Sequence, residues 1–176
     1  YGSLSHSHGD QNAFLLYAYG EDLAIQSGHY VAFNSSMHRD WRRQTRSKNA
    51  VLIGGQGQYA DKDKALARRA AGKIVSVDDN PGHVRIVGDA TEAYRVGNEQ
   101  VRKAEREVHF VADSYFVIVD RVDCAEPTTL DWLCHTSKAP EVGKSSFRYH
   151  GERAGFYGQF VFSSAGAPTI SAVHGF

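Results

Sequence analysis

Residues 73–87 read KIVSVDDNPGHVRIV: Ile74, Val75 and Val77, the turn Asp78-Asp79-Asn80-Pro81-Gly82, then Val84, Ile86 and Val87. Branched side chains suit the pleated surface and Pro-Gly suits a tight turn, so this is one strand returning as another. Outward from it the chain continues in the same way. Phe14 to Tyr19 and Leu23 to Gln26 flank Gly20-Glu21-Asp22 as a hairpin, and Ala50 to Ile53 is a short apolar strand closed by GGQGQ at 54–58. Residues 101–110 alternate as a solvated strand with one polar face, whereas Tyr115 to Asp120 is apolar on both faces and reads as central. Thr129 to Thr136, Phe147 to Tyr149, Phe156 to Phe162 and Thr169 to Val173 complete about a dozen strands. Asp61 to Ala71, stopped by Gly72, is the one helical stretch. The expected fold is all-β: a large antiparallel β-sandwich with one short helix, in a single domain over residues 1–176.

Composition narrows the function classes. The chain has 176 residues, 41% of them hydrophobic, which is enough for a core. Lys plus Arg and Asp plus Glu number 20 each, so no global field draws the chain to nucleic acid or an anionic membrane. Anion binding must be local. There is no apolar run of about 18 residues and no signal-type leader. The compartment is unassigned. The chain begins without Met and in mid-pattern, as expected of a piece of something longer. Cys124 and Cys134 are too few for a disulfide framework or structural zinc site; they are expected as two free buried thiols, with pairing across neighbouring strands as the alternative.

Three features carry chemistry. In HSHGD at 6–10, an extended backbone would send His6, His8 and Asp10 to one face, a patch for metal binding, acid/base chemistry or an anion; the alternative is a hydrogen-bonded polar strand entry. A metal site completed by a Glu shortly after the second histidine fails, because Asn12 and Ala13 stand there. The second feature, His38 to Arg46, places four arginines beside Trp41. Arginine forks match carboxylates and sulfates, and an indole face suits a sugar ring, so Arg39, Trp41 and Arg43 are candidate contacts for an anionic saccharide. A solvated basic loop and single-strand nucleic-acid binding are the alternatives. Ser27 to Lys48 as a whole reads as a long surface excursion. The third feature, GGQGQ, lacks the Lys-Ser/Thr of a phosphate loop and reads as a strand-end turn.

The motif order is more specific than any one motif. HSHGDQNAF, LAIQSGHY, the Arg-rich loop running into TRSKNAV at 45–51, GGQGQ, then Arg106 to Phe110, YFVIVDRV and DWLCH at 131–135 together resemble the heparinase II/III-like polysaccharide lyases, with the exo-acting oligoalginate lyases as the nearest branch. The resemblance runs to His135 and is most specific up to Gln58. It implies a supersandwich-like β domain packed on a separate α/α toroid, with the active site between them, and the toroid is not in this sequence. It implies β-elimination at a uronate: the carboxylate is neutralised, the C5 proton removed and the leaving O4 protonated. Under it, His6 inherits the histidine facing the catalytic cleft and His8 the position of a zinc ligand, which also places His8 beside the substrate. A tyrosine acid belongs to the toroid; Tyr17, Tyr19 and Tyr30 do not match its position.

The sequence departs from that pattern at two points. Gln26 stands where zinc-binding members carry Asp, and Lys48 where they carry His. A neutral amide is a poor ligand and an ammonium repels a divalent ion, so no metal and no other cofactor is expected. Lys48 is expected in the metal's place, near His8 and Asp10. The expected partners are an anionic oligosaccharide, alginate before heparin or heparan sulfate, and the toroid of the same parent chain, with neither nucleic acid nor membrane. A non-catalytic carbohydrate-binding or structural sandwich is the alternative.

Overall fold

The computed structural model describes residues 6–26, 32–61, 63–161, 163–164 and 166–173. Among them the chain forms β1 (Leu16–Ala18), β2 (Glu21–Ala24), β3 (Val51–Ile53), α1 (Lys64–Arg69), β4 (Lys73–Asn80), β5 (His83–Asp89), α2 (Thr91–Arg95), β6 (Val101–Val111), β7 (Tyr115–Cys124), β8 (Leu130–Trp132), β9 (Glu141–Val142), β10 (Ser146–His150) and β11 (Gly155–Gln159). Every strand pairing is antiparallel: β1-β2, β3-β8, β11-β10-β9 and the meander β4-β5-β6-β7. This is a mostly β molecule of the sandwich class, as the strand spacing required. No helix among the described residues is long and apolar enough to cross a membrane.

The 73–87 hairpin is longer than its apolar residues indicate. Ladder pairs extend through Asp78↔Arg85 to Asn80↔His83, leaving Pro81-Gly82 as the turn with Gly82 at φ 73°. The β1-β2 turn likewise moves, to Tyr19-Gly20, both at positive φ. β7 is the edge strand of the meander, not a central one, and Tyr115, Phe116 and Val117 stay exposed. Its partner β6 instead carries buried charge, Arg106 and Glu107, on what the alternation marked as a solvated strand. Residues 169–173 form no strand, and Phe162 lies outside the described residues.

Helix content also differs from expectation. α1 spans only Lys64–Arg69, capped by the Asp63 carboxylate on the N–H groups of Ala65 and Leu66. A second helix, α2, sits between β5 and β6; Ala93 and Tyr94 enter the core, and the Tyr94 hydroxyl donates to the Val51 carbonyl at 2.6 Å. That core joins Val51, Ile53, Ala90, Ala93, Tyr94, Val101 and Ala104, with Val122, Cys124 and Trp132 against it. On its other side Trp132 meets Phe14, Phe147 and Phe160. Cys124 and Cys134 are free thiols, and burial pushes Cys134 up to about 12.

Candidate active site

The HSHGD segment is not a strand. It is a loop tied from several sides, and the ties come from the stretch expected to lie on the surface. The N–H of Gly9 donates to the Arg43 carbonyl at 2.8 Å, the Thr45 hydroxyl donates to the Gly9 carbonyl at 2.8 Å, and Arg43 Nε donates to the Ser7 carbonyl at 3.2 Å. Gln58, from GGQGQ, uses one side-chain amide to hold both the N–H and the C=O of Gln11. Gly57 lies so close to Thr45 that a Cβ there would meet its side chain at 2.6 Å, whereas Gly54 and Gly55 are held at positive φ, 62° and 72°.

The part of the excursion within the described residues is structured. Met37–Arg42 is a π-helical turn and Thr45–Ser47 a 3₁₀ turn, and His38, Arg42, Thr45, Ser47, Lys48 and Asn49 are buried. Asn49 explains why the segment folds inward: its amide donates to the carbonyls of Phe14 and Ile25 and accepts from the N–H of His135. Three distant segments thus meet beside Lys48. Arg106 reinforces the junction, giving one Nη to the carbonyls of Asn12 and Asn49 while holding Asp120 in a fork at 2.7 and 2.9 Å.

At the centre lies Lys48. Its Nζ is 2.9 Å from His8 Nδ1 and 3.2 Å from Gln26 Oε1, and the Asp10 carboxylate acts on its charge. The two positions that differ from the zinc pattern, Gln26 and Lys48, are therefore neighbours of each other and of His8, which keeps it. Burial pulls the Lys48 ammonium down to about 8, against the pull of Asp10. Burial and then the Lys48 charge hold His8 down to about 4, so at neutral pH a neutral imidazole faces an ammonium. Burial raises the Asp10 carboxyl. As a metal seat the set does not fit: an ammonium has no lone pair to offer, and among the described residues no three His, Cys, Asp or Glu side chains converge.

His6 is separated from this group. It is exposed in a turn, its ring 4.7 Å from Phe33, which in turn packs 5.1 Å from His38. His38, not singled out as a site residue in the sequence, is buried 6.1 Å from His8 and held below the usual imidazole range by burial and by Arg43. Arg39 donates to the Asn34 carbonyl at 2.7 Å and lies beside Asp40; Trp41 is half-buried, edge-on to His135 at 6.4 Å. His8, His38, Arg39, Arg42, Arg43 and Lys48 thus form one neighbourhood, with His6 at its edge through Phe33. With the imidazoles of His8 and His38 neutral, its positive charge comes from arginine and lysine, Asp10 being set against Lys48 and Asp40 against Arg39. Such a surface attracts an anion through local charge alone, in a chain whose net charge is zero.

A family model described as heparinase II/III-like, C-terminal, matches residues 1–173. Two solved structures share the fold. A heparinase III with methylated lysines superposes with a TM-score of 0.65 at 21% identity, over 82% of this chain and 21% of that one. Another heparinase III gives 0.63 at 21% identity, over 85% and 22%. The chain spans about a fifth of the length of those two proteins. No curated protein gives a match.

Proposed function

Because the chain belongs to the heparinase II/III-like, C-terminal family, we propose that it is the β-rich part of a polysaccharide lyase that cleaves uronate-containing oligosaccharides by β-elimination. The observation that carries this reading is the cationic neighbourhood built around the tied-down HSHGD loop. A proton on C5 is poorly acidic beside a carboxylate, and cations on that carboxylate make its removal easier. In the proposed reaction the C5–H bond breaks toward a histidine, the C4=C5 double bond forms, and O4 leaves with a proton. His6, exposed at the edge of the neighbourhood, is the proposed base. Arg39 and Arg43 hold the uronate carboxylate, and the half-buried Trp41 borders the sugar. The acid that protonates O4 is assigned to a helical toroid of the same parent chain.

The substrate is either alginate, which carries only carboxylates, or a heparan-type polymer, which also carries sulfates. The motif order favours the first and the heparinase III relatives the second. The test offers the full-length parent protein both oligomers and follows the ultraviolet absorbance of the unsaturated uronate product. Absorbance rising with either supports the lyase and names its substrate. No rise with either polymer, together with saccharide binding that survives His6→Ala, would instead favour a non-catalytic carbohydrate-binding sandwich.

A further inference from the structure

The chain keeps a buried lysine against His8 and Gln26, and the chemistry of that contact is one-sided. Lys48 is 2% exposed, and its Nζ lies within hydrogen-bond distance of both His8 Nδ1 and Gln26 Oε1. An ammonium has three protons to give and no lone pair to receive one. Gln26 Oε1 is an acceptor only, so Nζ donates to it, and the same group facing His8 Nδ1 requires that nitrogen to be the unprotonated one. The imidazole proton is then on Nε2.

The backbone makes the arrangement rigid. Lys48 follows the 3₁₀ turn Thr45–Ser47, its N–H donates to the Thr45 carbonyl at 2.9 Å, and Asn49 beside it bonds three segments. His8 is equally constrained, since its neighbours Ser7 and Gly9 are tied to Arg43 and Thr45. Gln26 is brought in by the bridge between Ile25 and His135. Asp10 supplies the balancing charge, so the ammonium is not an uncompensated buried ion.

We propose that Lys48 is a positioning residue, a cation built into the chain that fills the seat a metal ion would need and fixes His8 as the Nε2–H tautomer. His8 is then a hydrogen-bond donor through Nε2 and not a proton-accepting base, which leaves base chemistry to His6. This last step rests on the lyase reading; the tautomer and the filled seat do not.

The tests use the full-length protein and no substrate, so they stand whether or not the lyase reading does. In nitrogen NMR of [¹⁵N]histidine-labelled wild type, with His8→Asn to assign the signal, His8 should show an unprotonated Nδ1 and a protonated Nε2. Lys48→Met should release the ring to a mixture of tautomers, and Lys48→Arg should restore the single form. A protonated Nδ1 in wild type would overturn the proposal, as would an unchanged tautomer in a folded Lys48→Met. In zinc titrations by calorimetry, wild type should take up none, whereas Gln26→Asp with Lys48→His should bind one equivalent. One equivalent bound tightly by wild type would show that Lys48 yields its place to a metal.

Discussion

At the scale of single residues the site depends on a few buried polar groups that carry more than one bond each. Asn49→Ala leaves the carbonyls of Phe14 and Ile25 and the N–H of His135 without their partner, and should cost about 2–4 kcal/mol, read by chemical denaturation. A loss below about 0.5 kcal/mol would mean that water replaces the amide at no cost. The two arginines of the loop should behave differently. Arg39→Ala removes a side chain bonded to the neighbouring Asn34 carbonyl, and is expected to weaken binding of charged oligomers about tenfold, neutral ones little. Arg43→Ala also frees the Ser7 carbonyl, so it should lower thermal stability as well as affinity. Equal losses for charged and neutral oligomers would remove charge recognition from this loop. The residues themselves were legible as chemistry: His8, Gln26 and Lys48 were singled out by comparing each position with a pattern, and they are neighbours in space. His38 was not singled out, because burial of one histidine among arginines leaves no mark in a polar stretch.

At the scale of elements the four-stranded meander has its own pH dependence. Glu107 on β6 accepts from Arg85 of β5 and Arg121 of β7, and the Arg85 bond above all holds its carboxyl down to about 2 from an ordinary 4.5. The unfolded chain takes up this proton near 4.5 and the folded chain only near 2. Glu107 therefore contributes its full stabilisation above about 4.5 and loses it as the pH falls toward 2. Glu107→Gln should lower stability at neutral pH and flatten the acid limb of the stability curve in that window; an unchanged acid limb would place the acid sensitivity elsewhere. The alternation of β6 was readable in sequence, but not that its charged residues are buried, because the pattern does not show that Arg85 and Arg121 flank Glu107 from both sides. The same limit hid the edge position of β7. A strand apolar on both faces fits a central place, and only the pairing shows where it lies.

At the scale of the whole molecule the proposed chemistry is divided between this β unit and a helical one. Residues 1–176 produced alone should give no unsaturated uronate, whereas the full-length parent should, and His6→Ala in that parent should lower kcat by a factor of at least about 100. Turnover by the isolated segment would show that the β unit carries the acid as well as the base. Much of the architecture follows from the chain itself: branched residues in period two, Pro81-Gly82 at a turn and the near absence of helical periodicity dictate antiparallel β structure, because those are local preferences that each short segment expresses by itself. The ordered motifs likewise led to the family. What only the tertiary structure decided is that the stretch around residues 37–49 folds inward and that α2 completes the core. Those outcomes depend on hydrogen bonds between residues far apart in the chain, such as Asn49 to His135 and Arg106 to Asn12. Polar side chains pay for burial only when such partners arrive, and no local pattern announces that they will.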